Sequence, residues 1–140
     1  MIRQEFELGR LGWIVKVFYE VSANDADEVL SALKECGCKG INLWKAERTI
    51  VNGGFNFGVT YSNYKTHESV MVIGRTSSAD EFQNSYDHEK GHLQKQICQA
   101  LNINPWGEGA EYLAGTIGQK TFAYAKHFLC EHCRKKRILS

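Results

Sequence analysis

His88 and His92 stand four residues apart in the stretch SYDHEKGHLQ (Ser85–Gln94), and Glu89 follows the first of them directly. On a helix, positions i and i+4 project from one face a turn apart, so two imidazoles at this spacing can reach one metal ion. Glu89 points about 100° further round, where a carboxylate can touch a metal-bound water without being a ligand. This is the H-E-x-x-H pattern, in which two histidines hold zinc and the glutamate acts as general base. The same residues also read as the wet side of an ordinary helix, because Asn84, Ser85, His88, His92, Lys95, Gln96 and Gln99 form one polar stripe.

A hydrolytic zinc site needs three protein ligands and an open position for water. Downstream lies WGEGAEYLAG (Trp106–Gly115). Glu108 falls in the first turn of the next expected helix, and the short loop NINPW can fold that helix back beside the first, where a carboxylate could meet the imidazoles. Glu111, three residues on, is the rival third ligand. It points about 300° round the helix from Glu108, so the two cannot face one metal equally.

Together, HEKGH and WGEGAEYLAG resemble the gluzincin metallopeptidases, in which a glutamate ligand sits on a helix after the H-E-x-x-H helix. The resemblance covers roughly residues 78–118 and is closest to small single-domain members. It implies His88, His92 and Glu108 as zinc ligands, Glu89 as base, and Tyr112, one turn beyond Glu108, as a residue that orients a ligand or stabilises the transition state. It further implies a zincin-like sheet whose antiparallel edge strand roofs the cleft. Lys90 departs from the uncharged residue usual at its position, and the interval from His92 to Glu108 is short for the family. The implied activity is zinc-dependent peptide hydrolysis, with a peptide or protein as substrate. The alternatives are a non-catalytic zincin-like binding protein, or a nucleic-acid-associated protein built on the CEHCRKKR end.

The elements that must position these residues follow from periodicity. Gly12–Val21 is β-branched and aromatic and predicts a strand. Residues 22–38 predict a helix, with Ser22 or Asn24 as cap, Val29, Leu30 and Leu33 at helical spacing, and Gly37 at its end. Gly40–Val51 predicts another strand, Asn52-Gly53-Gly54 a turn, and FNFGVTYS and SVMVIGR two further strands around the loop NYKTHE. A helix from Ser78 to about Leu101 begins with a capping box formed by Ser78 and Glu81. Its inner side carries Phe82, Tyr86, Glu89, Leu93, Ile97 and Leu101. A second helix starts at Pro105 and runs to about Leu129. The expectation is one α+β, zincin-like domain over residues 1–140. Residues 1–75 form a β-α-β-β-β layer, mostly sheet with one helix; residues 76–129 supply the two site helices; residues 130–140 are a tail.

Oxyanion donors could come from Tyr61, Tyr64, His67, Tyr112 or Tyr124. Gly91, Gly115 and Gly118 weaken their helices, or permit close approach at the site. Cys36 and Cys38 with Cys130 and Cys133 could form a four-thiolate zinc site with His132 in reserve, or remain free thiols. Cys98 falls on the core side. Arg134–Arg137 is a basic run at the end of the chain.

Composition sets the remaining bounds. The chain has 140 residues, 43% apolar and 24% charged, which suits a single domain able to bury its own core. A net charge of +1 provides no overall field toward nucleic acid or membrane. No apolar run approaches the roughly 18–20 residues that span a bilayer, and no signal-peptide core is visible near the start. Five cysteines, an odd number, fit a reducing compartment, and a cytoplasmic location is expected.

Overall fold

The computed structural model describes residues 1–139, with side-chain surroundings for residues 1–136. The fold is α+β: a four-stranded mixed sheet with helices on both faces. Strand β1 (Ile2–Leu8) pairs antiparallel with β2 (Trp13–Val21). After β2 come helix α1 (Ala26–Glu35) and helix α2 (Gly40–Asn52). Strand β3 (Gly58–Asn63) then turns into β4 (Glu68–Gly74), which inserts parallel to β2, giving the order β1-β2-β4-β3. The antiparallel strand β3 is therefore one edge of the sheet. Helices α3 (Ala79–Leu101), α4 (Glu108–Ala125) and α5 (Glu131–Leu139) complete the chain.

Side-chain alternation on the central strands divides the core. Trp13, Val15, Val17, Tyr19, Met71 and Ile73 face α3 and α4 and meet Phe82, Leu93, Ile97 and Ile117. Phe18, Val70 and Val72 face the other way, onto Val29 and Leu33 of α1 and Ala46 and Ile50 of α2. Both faces of β2 and β4 are thus covered, which explains their nearly continuous apolar runs.

The strand expected at Gly40–Val51 is instead α2. Its half-buried Leu43 and buried Ala46 and Ile50 recur at i, i+3, i+7, so burial follows the helical period although the segment's β-branched residues suggest a strand. Strand β1 carries an alternating pattern that the expected β-α-β-β-β layer did not include: Ile2, Phe6 and Leu8 turn toward the α4 side of the sheet while Arg3, Glu5 and Glu7 turn away. The layer is consequently β-β-α-α-β-β. The tail expected from residue 130 is helical to Leu139, and Ser140 lies outside the described residues.

Helix α3 spans the expected residues, and of the expected capping box the serine half forms. The Ser78 hydroxyl accepts the Glu81 N–H at 3.2 Å, and Asn102 closes the helix with φ 55°. Helix α4 starts three residues later than Pro105 suggests, with Gly107 as N-cap, and stops at Ala125. No helix among the described residues is long and apolar enough to cross a membrane.

Candidate metal centre

Helix α3 lies under β3, and its exposed flank opens into a cleft of about 520 Å³. One wall is α2, through Asn42, Lys45, Ala46 and Thr49; the roof is β3, from Gly58 to Ser62; the other wall is α3, through His88, Glu89, His92 and Gln96. The imidazoles of His88 and His92 are exposed and bring their Nε2 atoms to 3.0 Å of one another. Two nitrogens bound to one tetrahedral zinc at the usual 2.0–2.1 Å lie roughly 3.3–3.4 Å apart, so the pair needs only a slight opening to hold an ion.

Glu89 is the unusual residue of the three. It lies on the apolar side of α3 and is only 4% exposed, yet it carries a carboxyl group. A ligating atom from each of His88, Glu89 and His92 lies within 4.8 Å of the other two. The Thr60 hydroxyl donates to Glu89 Oε1 at 2.8 Å. Burial pushes the Glu89 carboxyl above the ordinary range, while the Thr60 hydroxyl and then the two imidazoles pull the other way. An acid poised upward by burial and restrained by a donor is a common setting for proton transfer.

Gly58 makes that setting possible. A Cβ at this position would come within 2.6 Å of the Glu89 carboxyl carbon and 2.7 Å of its Cγ, so only a residue without a side chain lets the carboxylate fit beneath the strand. Gln96 secures the roof from below: its Nε2 donates to the Thr60 carbonyl at 3.1 Å, and its Oε1 accepts from the Ser62 hydroxyl at 2.5 Å. Ser62 in turn shares a hydrogen bond with Ser69, which accepts the Trp13 indole N–H at 2.8 Å. The polar chain continues from the buried indole to the cleft without an unsatisfied buried side-chain atom.

Helix α4 lies on another side of α3. Gln94 donates its Nε2 to the Ala110 carbonyl at 2.9 Å, and Asp87, Lys90, Gly91 and Gln94 face Ala114 and Ile117. Gln94 is about 200° round the helix from His92. Glu108 and Glu111 are exposed on α4, and neither joins the His88–Glu89–His92 group among the described residues. Tyr112 is 73% exposed on the same helix. The structure therefore brings His88, Glu89 and His92 together and does not bring Glu108, Glu111 or Tyr112 to them.

Of the other tyrosines and His67, Tyr61 and Tyr64 line the cleft. Tyr61 donates to the Gly37 carbonyl at 3.2 Å and Tyr64 to Gln99 Oε1 at 3.0 Å. His67 stacks on Trp13 and Tyr124 on Tyr19. No side-chain atom crowds Gly91 or Gly115 within 4 Å, so neither serves a close approach. Cys36 and Cys38 are buried on the α1 and α2 face of the sheet, where burial pushes the Cys36 thiol up to about 11, whereas Cys130 and Cys133 belong to the start of α5. No cysteine belongs to a cluster of three potential ligands among the described residues.

Thr60, Gly58 and Gln96 were absent from the candidates read in the sequence, as was the whole α2 wall. The Leu43–Ala46–Ile50 spacing could have disclosed that wall; nothing local discloses which strand will lie over α3. Comparison of the chain with protein-family models, curated proteins and solved structures gives no match.

Proposed function

We propose that the protein is a zinc-dependent hydrolase of peptide bonds, with His88 and His92 as ligands and Glu89 as general base. The observation that carries the reading is the convergence of two imidazole nitrogens, 3.0 Å apart, with a buried carboxylate in a cleft beneath an antiparallel edge strand. The donor set suits zinc in type, two imidazoles and a carboxylate. Bound there, zinc would polarise a scissile carbonyl and lower the pKa of its water toward about 7.

The chain's own residues supply the rest. Glu89, its carboxyl raised by burial, accepts a proton from the attacking water and returns it to the leaving amine. Thr60 fixes the carboxylate, and Gly58 leaves it room. The Phe57 carbonyl bonds inward to Gly74, so alternation turns the main-chain groups of Gly58 and Ser62 and the Thr60 N–H to the open edge, beside which an extended peptide can lie; the Thr60 carbonyl is taken by Gln96. This placement of sheet, edge strand and histidine helix suits the gluzincin resemblance. The position of α4 departs from it, since the third ligand of that family has no counterpart on α4 beside the imidazoles among the described residues.

That departure favours a second reading: a metal-binding protein without turnover, in which Glu89 itself is the third ligand. One substitution separates them. With Glu89 as base, Glu89→Gln keeps zinc and loses hydrolysis of a peptide library. If Glu89→Gln loses zinc as thoroughly as a histidine variant does, Glu89 is a ligand and the hydrolase reading fails.

A further inference from the structure

The CEHC stretch at the start of α5 lies apart from the cleft. Cys130 is exposed, and its carbonyl accepts the Arg134 N–H at 2.9 Å, so it stands at the N-cap of α5 with Cys133 one turn on. Helix geometry puts residues three apart at about 5 Å between Cα atoms. That lies inside the roughly 4.4–6.8 Å window in which two cysteines can be bridged. The turn is anchored: Glu131 accepts the Ala79 N–H at the head of α3, and Arg134 donates to the Thr76 carbonyl at 2.6 Å. Cys133 is half-buried.

We propose that Cys130 and Cys133 form a redox-active dithiol, Cys130 attacking accessible disulfides and Cys133 resolving the product. The Cys133 N–H, the Cys133 thiol and the His132 N–H hold the Cys130 thiol below the usual range, and the same pairing pushes the Cys133 thiol up. Exposure assigns the roles: Cys130, open to solvent, is the nucleophile, and half-buried Cys133 is the resolver, with the directions of the two thiols in agreement. In the first step the Cys130 thiolate attacks one sulfur of a partner disulfide, whose S–S bond breaks. The departing sulfur leaves as a thiolate and takes up a proton, and a mixed disulfide remains on Cys130. Cys133 then gives up its proton and attacks the Cys130 sulfur, expelling the second partner sulfur. Two electrons and two protons pass to the partner, and the chain gains an intramolecular disulfide.

The test uses the full native chain and glutathione disulfide. Wild type should consume the reagent and acquire one internal bridge, which peptide mapping places between Cys130 and Cys133. Cys133→Ser should accumulate glutathione on Cys130, and Cys130→Ser should accumulate several-fold less on Cys133. Buried Cys36, Cys38 and Cys98 should remain reduced throughout. Persistent mixed disulfide on wild type, or equal trapping by the two single variants, would overturn the proposal. So would protection of both thiols by added zinc in a His88→Ala, His92→Ala background, which would make the pair a metal clip.

Discussion

Glu89 on α3 and Glu108 on α4 are both glutamates in helices thought to carry a site, and their surroundings differ. Glu89 is buried, accepts a hydroxyl hydrogen bond from Thr60, and shares a cleft with two imidazoles. Glu108 is exposed at the first position of its helix and does not line that cleft. Desolvating a carboxylate is costly unless its surroundings compensate, so a fold that buries one and gives it a donor has constrained that position far more tightly than an exposed one.

The largest effect belongs to the histidines. Loss of residues that merely support a metal ligand costs 10–100-fold in affinity, so removal of a ligand should cost about 100-fold or more. His88→Ala and His92→Ala should each lower zinc affinity at least that much in a competition titration. Both side chains are exposed, so thermal unfolding of the metal-free variants should match wild type. If either variant keeps wild-type affinity, the cleft is not the metal centre.

This pair was legible in the sequence because helix periodicity alone fixes which residues three and four apart share a face. The burial of Phe82, Tyr86, Leu93 and Ile97 was legible for the same reason, and the cap at Ser78 from its own local signature. The partner across the cleft was not. Whether β3 or α4 lies beside the histidines depends on contacts between segments far apart in the chain. Glu108 has the residue type and helix position of a third ligand, yet Gln94 and Ala110 join α4 to a different side of α3. Gly58 reads locally as part of an ordinary strand, and only the carboxylate beneath it explains why it has no side chain.

Gly58→Ala should therefore be the next most damaging change. The added methyl meets the Glu89 side chain, so either that side chain leaves its place beside Thr60 or the strand and helix move apart. Overpacking of this kind costs about 1–3 kcal/mol, visible as a lower denaturation midpoint. The double variant Gly58→Ala, Glu89→Ala should recover most of that loss, because the clash is with this one side chain. No recovery would mean that Gly58 is needed for some other reason.

The pH dependence of stability offers a subtler test. Burial raises the Glu89 carboxyl above its ordinary value of 4.5. Below that value both folded and unfolded chains hold the proton. As pH rises through the folded value, the unfolded chain has already released its proton and the native chain must ionise a buried group, so stability is lost. In metal-free protein, Glu89→Gln, which keeps an acceptor for Thr60, should gain stability relative to wild type as pH rises above 4.5, until the native carboxyl has ionised. Thr60→Val removes the donor that holds the carboxyl down and should steepen the loss. A stability difference between wild type and Glu89→Gln that is flat with pH would show that burial does not perturb this group.

The smallest effects should come from α4, and they bear most directly on the contrast between the two glutamates. Glu108→Ala and Glu111→Ala remove exposed carboxylates that belong to no cluster of metal-binding side chains among the described residues. Surface substitutions of this kind usually stay within about 0.5 kcal/mol. Zinc affinity should be unchanged within about twofold, since a twofold change corresponds to only about 0.4 kcal/mol. Tyr112→Phe should be equally silent, because the tyrosine is 73% exposed on the same helix. A hundredfold loss of zinc affinity in Glu108→Ala alone would mean that α4 swings to the cleft when metal binds, which would require the Gln94–Ala110 hydrogen bond to break. In that case Gln94→Ala, by releasing α4, should strengthen zinc binding. If instead all of these variants bind zinc as wild type does, the metal centre is confined to α3 and the strand above it.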